Sequence, residues 1–170
     1  KELLKNSLAK ACLITKKNVN LLSKNTNAII VDDPYNAFAL ITNLFKNNEV
    51  SNGKISNLAF IDNRSKLSNN VQIDSFTHIK EACEIGTNVI IESNCSIGPN
   101  VKIYENTVIK SNSVLSNCEI GSNCIIKSGA IIGGTGFGFH PVTKSRIQHL
   151  GNVIIEENCN IGSNTTIDRA

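Results

Sequence analysis

From Ile55 onward the chain counts in sixes. Ile55, Ile61, Leu67, Ile73, Ile79, Ile85, Ile91, Ile97, Ile103, Ile109 and Leu115 stand six apart, eleven aliphatic residues without a miss. Ile and Leu together make 36 of the 170 residues, so chance yields such a run on the order of once in a million. One residue drops out in "LSNCEI". The count continues at Ile120, Ile126 and Ile132, and returns at Ile155, Ile161 and Ile167.

Two more positions keep the beat. Four residues after the aliphatic stand Ala59, Ser65, Val71, Thr77, Cys83, Val89, Cys95, Val101, Thr107 and Ser113, all small. Three after it stand Asn88, Asn94, Asn100, Asn106, Asn112, Asn123, Asn158 and Asn164. Asn tolerates left-handed torsions and bonds its own backbone, so it suits a corner. Gly86, Gly98, Gly121 and Gly162 follow the aliphatic directly, where crowding or unusual torsions favour a missing side chain. Six is the period of neither a helix nor a simple amphipathic strand. It describes a short flat strand, a corner, and another strand, each strand sending one large aliphatic inward. Three such sides close a triangular coil of about eighteen residues, and coils stack at about 4.8 Å so that backbone groups pair above and below. A buried Ile contributes about 1.5–3 kcal/mol, but one coil cannot bury its own row, so stacking is obligatory. The expected fold is mainly β, a solenoid over residues 51–170. An inert or ice-binding rod has the same period, but the flat Thr ranks of ice-binding rods are missing.

Residues 1–50 follow another pattern. "ACLITKK" and "NAIIVDD" read as short strands. "DPYNAFALITNLFKNN" reads as a helix with Asp33 at the N-cap and Pro34 at the first helical position. Ala37, Leu40, Ile41 and Leu44 form its apolar face. This is a small, partial α/β domain. The chain holds no Met and stops in mid-pattern at Ala170, as a fragment would.

Net charge is +3, with the basic excess confined to the first third, too little for a nucleic-acid partner. No apolar run approaches the ~18 residues of a membrane span, and no signal peptide is visible. The six cysteines form no CxxC pair and have no His at zinc-finger spacing. Cys83, Cys95, Cys124 and Cys159 fall in the small slot, so the cysteines read as reduced, buried residues of a cytoplasmic protein.

The count breaks between Ile132 and Ile155, 23 residues apart. That spacing reads as one coil plus five extra residues, a loop ejected at about 133–152. Its start, "GGTGFGF", alternates Gly134, Gly136 and Gly138 instead of giving the G-x-G-x-x-G that opens a nucleotide-binding helix. Glycines that let the backbone turn, with Phe137 and Phe139 packing on a ligand or a neighbouring subunit, fit better; both rings capping the solenoid core is the plainer alternative. Loops ejected from rigid scaffolds carry function. His78 reads as an exposed outer residue. His140 and His149 lie in the loop, where either could act as a base, but both read as surface residues. The three histidines are too far apart in coil count for a zinc cluster.

"GGTGFGF" followed by "IQHLGNVIIEENCNIGSNTTIDRA" closely resembles the UDP-3-O-acylglucosamine N-acyltransferases of lipid A biosynthesis. Gly133 to Phe139, Gln148 to Gly151, Ile161 to Asn164 and Thr166 to Ala170 carry the likeness. His149 interrupts the family's QLG-like segment, and Ala170 stands where the family has Gly. "KACLI" and "DPYNAFALITNLF" resemble the end of its uridine-recognition domain. The resemblance implies a left-handed parallel β-helix forming a homotrimer with sites between subunits. It implies transfer of a hydroxyacyl chain from acyl carrier protein to the 2-amino group of a UDP-acylglucosamine, without metal or nucleotide cofactor. Gly136, Phe137, Gly138 and Phe139 would then contact substrate, and Asp168 and Arg169 would shape the same cleft unless they form only a surface ion pair. The family's general-base His lies beyond its TIDRG motif, so none is assigned here, and residues 1–170 alone are expected to be inactive. Another hexapeptide-repeat acyltransferase, acting on a hydroxyl of a UDP-amino sugar, or a non-catalytic trimeric scaffold are the alternatives. On the family reading the protein is at most peripheral to a membrane.

Overall fold

The computed structural model describes residues 2–45 and 49–170, which divide into two compact units, one up to Glu49 and one from Val50. In the first, strands β1 (Ala11–Ile14) and β2 (Asn27–Ile30) pair in parallel. Parallel strands need a crossover, supplied in part by a 3-10 helix at Lys16–Leu21. Helix α1 (Glu2–Lys5) precedes them and helix α2 (Pro34–Leu44) follows. Asp33 caps α2: its Oδ1 accepts from the N–H groups of Tyr35 at 2.9 Å and Asn36 at 3.1 Å, satisfying two of the helix's orphan donors. The expected apolar face is realised only in part. Ala37 and Ile41 are half-buried, whereas Leu40 and Leu44 are exposed, because a sheet of two strands is too narrow to cover the whole stripe. Among the described residues no helix is long and apolar enough to cross a membrane.

The second unit is a left-handed parallel β-helix. Its strands stack into three sheets of five, five and six strands. The first face holds Phe60–Ile61, His78–Ile79, Ser96–Ile97, Val114–Leu115, Ile131–Thr135 and Thr166–Arg169. The second holds Lys66–Leu67, Glu84–Ile85, Val101–Ile103, Cys118–Ile120 and Val153–Ile155. The third holds Gln72–Ile73, Ile90–Ile91, Val108–Ile109, Ile125–Ile126 and Asn160–Ile161. Register advances by eighteen in the lower coils, as in Phe60↔His78↔Ser96, and by seventeen across the shortened "LSNCEI" corner, as in Lys102↔Glu119. The aliphatic column from Ile73 to Ile132 lies inside, with no member more than 2 % exposed.

The other two hexad positions do what their chemistry dictates. The Asn corners are left-handed, from φ 44 at Asn117 to φ 64 at Asn112. At the corner between the second and third faces they also form a ladder, Asn70 Nδ2 donating to Asn88 Oδ1 at 2.8 Å and Asn88 Nδ2 to Asn106 Oδ1 at 3.0 Å. The small slot faces inward and ties coil to coil. Thr77 Oγ1 donates to Glu92 O at 2.7 Å and accepts from Cys95 N at 3.3 Å. Thr107 Oγ1 does the same with Gly121 O at 2.7 Å and Cys124 N at 3.1 Å. Cysteines substitute for the hydroxyls: Cys95 Sγ donates to Lys110 O at 3.3 Å, and Cys124 Sγ to Glu156 O at 3.1 Å. These bonds give corner backbone groups partners that the strand ladders do not supply.

Candidate functional site

The interruption is built differently from its expected form. Cys118 pairs with Val153, 35 positions on, and Ile131 with Thr166, also 35 on. Ile132 closes the first face and Ile155 sits on the second, the next side of the same coil. No coil is inserted. Instead of five extra residues, the whole excess of seventeen leaves the solenoid at the corner between the first and second faces. The period alone could not separate the two, because a seventeen-residue excursion is nearly one coil's worth of chain.

The exit has a local cause. In the coils below, the first face contributes two-residue strands, but Ile131–Thr135 runs on for five. It pairs with Thr166–Arg169 through a bulge between Ile132 and Gly134, so the strand overshoots its corner. Gly133 takes φ +80, and a Cβ there would overlap the carbonyl oxygen of Ser116 in the shortened corner below, so only glycine serves. Ser116 Oγ donates to Gly133 O at 3.1 Å. Beyond the exit the chain forms a hairpin-like excursion. Phe139 and Arg146 make an antiparallel bridge. His140 N donates to Ser145 O at 2.9 Å, and Ile147 N to Gly138 O at 2.9 Å. His140 is exposed, and its Nδ1 accepts from the N–H groups of Val142 at 3.3 Å and Thr143 at 3.1 Å, which closes the tip. The return is tied by Gly151 N donating to Ala170 O at 2.7 Å and Val153 N to Asn117 O at 3.2 Å.

The expected site residues divide between the two sides of this hairpin. Phe137 and Phe139 lie on one side, centroids 5.1 Å apart and planes at 63°. Phe137 is 91 % exposed and Phe139 44 %, so neither caps the core. Gly136 and Gly138 face the other side. Their role is not to let the backbone turn, since neither has a positive φ; they make room. A Cβ on Gly136 would stand 2.8 Å from His149 Nδ1 and 3.0 Å from Arg169 O, and one on Gly138 would stand 3.1 Å from His149 Nε2. Asp168 Oδ1 lies against Gly134 in the same way. Asp168 and Arg169 are successive strand residues whose side chains alternate across the strand. Asp168 is exposed and Arg169 half-buried, its Nε enclosed without a hydrogen-bond partner.

His149 corrects the expectation of a surface residue. It is half-buried, and its Nε2 is enclosed without a hydrogen-bond partner. A signal for it is present in the sequence: glycine at every second position leaves a trough beside the backbone, and a trough in a packed structure needs a filler from across the hairpin. His78 stays on the outside of the first face, its ring edge-on to Phe60 with centroids 4.7 Å apart. Below the hairpin a groove of about 370 Å³ runs along the same corner, lined by Asn100, Lys102, Asn117, Glu119, Leu150 and Arg169 among others. Lys102 Nζ and Glu119 Oε1 are 3.7 Å apart on its wall. Neither Phe ring lines it.

Comparison with known proteins adds to this geometry. Residues 64–99 match the family "Bacterial transferase hexapeptide (six repeats)". Two curated relatives, both named UDP-3-O-acylglucosamine N-acyltransferase, come from Helicobacter pylori strains J99 and HPAG1. They are 39 % and 40 % identical to this chain over 178 aligned positions that include 99 % of it. The chain is a hexapeptide-repeat β-helix related to these N-acyltransferases. It spans about half the length of the curated relatives it matches, 50 % in each case. The alignment takes in the first unit and the hairpin as well as the repeats, so the relationship rests on more than the six-residue period.

Proposed function

We propose that this chain is the part of an N-acyltransferase of lipid A biosynthesis that carries the ejected hairpin. The reaction moves a 3-hydroxyacyl chain from acyl carrier protein to the 2-amino group of a UDP-3-O-acylglucosamine. A base takes a proton from the amine, the nitrogen attacks the thioester carbonyl, and a backbone N–H holds the oxyanion until the thiolate leaves. The base is a histidine that residues 1–170 do not include. Gly136, Phe137, Gly138, Phe139, Asp168 and Arg169 are the substrate-side residues of this segment, and the working form is a cytoplasmic homotrimer with its sites between subunits.

One observation carries the reading for this segment. An aromatic pair, Phe137 almost wholly in solvent and Phe139 partly so, stands on a hairpin anchored at both ends to a rigid solenoid. Exposed aromatic surface is costly unless something covers it, and a hydroxyacyl chain is an apolar partner of suitable shape. The test is steady-state kinetics of the full-length protein with UDP-3-O-acylglucosamine and hydroxyacyl-carrier protein. Phe137→Ala with Phe139→Ala is expected to raise KM for a substrate by about tenfold, the loss of roughly one buried aromatic contact. Unchanged kinetics together with an unchanged oligomeric mass would remove the hairpin from the site. An absence of acyl transfer in the full-length wild type would remove the function itself.

A further inference from the structure

The segment Gly136–Phe139, which follows the strand Ile131–Thr135, has two unlike sides. Gly136 and Gly138 face His149 on one, and Phe137 and Phe139 pack together on the other. The glycine face has no side chains of its own to hold it against anything. What fills its trough is the imidazole of His149, arriving from the returning limb of the hairpin beside Ile147. The contact is close: Nδ1 and Cε1 lie 2.8 and 2.9 Å from where a Cβ of Gly136 would be, and Nε2 lies 3.1 Å from that of Gly138. The ring makes this contact through its body, since the enclosed Nε2 has no hydrogen-bond partner. A nitrogen buried in that way contributes nothing by its polarity and costs some stability. Over Gly136 and Gly138 the ring therefore serves by its volume and not through a hydrogen bond of Nε2.

We propose that His149 is the positioning residue of the hairpin. By filling the trough over Gly136 and Gly138 it fixes the two limbs together and sets where Phe137 and Phe139 project. It acts on substrate only through the aromatic pair. That last consequence rests on the function proposed above; the positioning role does not.

Two properties make this separable from a role as base. First, an apolar side chain of similar volume should serve, because no hydrogen bond of Nε2 is lost. Second, the contact is reciprocal, so a methyl added at Gly136 should do less harm once the ring is gone, when only its 3.0 Å approach to Arg169 O remains. The experiment uses the full-length protein in five forms: wild type, His149→Ala, His149→Leu, Gly136→Ala, and Gly136→Ala with His149→Ala. Amide hydrogen exchange at Ile147 and His140, whose N–H groups bridge the hairpin, reads its closure. Exchange at Ile103 and Ile109 checks that the solenoid is intact, and kinetics read KM and kcat separately. His149→Ala and Gly136→Ala are each expected to speed exchange at Ile147 by about tenfold or more without changing the solenoid amides. His149→Leu should stay near wild type, and the double variant should exchange more slowly than the two single effects combined predict. Under the proposed function, KM rises with exchange while kcat holds. If exchange moves in this pattern and KM does not, His149 positions the hairpin and the substrate role of the aromatic pair is wrong. If His149→Leu is as open as His149→Ala, or if the double variant is additive, the positioning role is overturned.

Discussion

Truncating one member of the aliphatic column tests the architecture most directly. Ile97 is 0 % exposed, mid-column on the first face, with Ile79 below and Leu115 above in register. Ile97→Ala removes three buried carbons, worth about 0.8 kcal/mol each, or about 2.4 kcal/mol of transfer free energy. Collapse is restricted, because the ladders above and below fix the backbone at strand spacing. A cavity contribution therefore adds, and the total should reach about 3–4 kcal/mol, within the range for such truncations. Ile55 belongs to the same series but lies at the base and is 48 % exposed, so Ile55→Ala should cost about half as much or less. Urea unfolding of the full-length protein, followed by far-ultraviolet circular dichroism, measures both. In a stack where each coil contacts only its neighbours, the Ile97 change also splits the cooperative unit, so its transition should broaden as well as shift. Equal midpoints for the two variants would mean that the column is not the core, and the reasoning behind the fold would fail.

Two further outcomes follow from the corners and the small slot. Burial pushes the thiols of Cys95 and Cys118 up to about 11 and about 12, so iodoacetamide at pH 8 should leave both unmodified in the folded protein and label them once urea unfolds it. Labelling at the same rate in both states would show that the slot does not face inward. Glu92 ties two coils: its Oε1 accepts from Lys110 Nζ at 2.8 Å, and its Oε2 from the N–H and hydroxyl of Ser111 at 3.0 and 2.9 Å. Burial disfavours the charge, but these hydrogen bonds outweigh it and hold the carboxyl below its ordinary value of 4.5. A value depressed by folding gives stability that is complete above the unfolded pKa and fades as pH falls towards the folded one. Glu92→Gln should therefore be less stable than wild type at pH 7, with the gap closing below about pH 4; a gap that persists at pH 3 would show that the tie is not ionic.

Much of the second unit could be read residue by residue, because its rule is local. A side chain's direction on a flat strand follows from its place in the six-residue beat, so Ile73 to Ile132 point inward and Asn88 to Asn164 turn corners wherever the beat holds. The same locality let Asp33 and Pro34 mark the start of α2. The failures share a cause. Leu40 and Leu44 have the spacing of a buried stripe, but the sheet beneath α2 has only two strands. The excursion holds seventeen residues where the spacing suggests five, because spacing cannot tell an inserted coil from an excursion of similar length. His149 reads as a surface residue in the sequence because the residues it packs on, Gly136 and Gly138, lie more than ten positions away.

The amino-acid order alone thus determines the triangular coil, its interior column and its corners, since each depends on residues within one side of the triangle. It also marks the interruption as the place where that rule lapses. Only the three-dimensional structure decides which corner opens, how much chain leaves, and what fills the trough over the glycines. Those outcomes are contacts between limbs whose separation obeys no period: Gly133 over Ser116, His149 over Gly136, Ala170 under Gly151. Where the repeat ends, packing between distant residues takes over from spacing, and the hairpin's shape is settled by what fits.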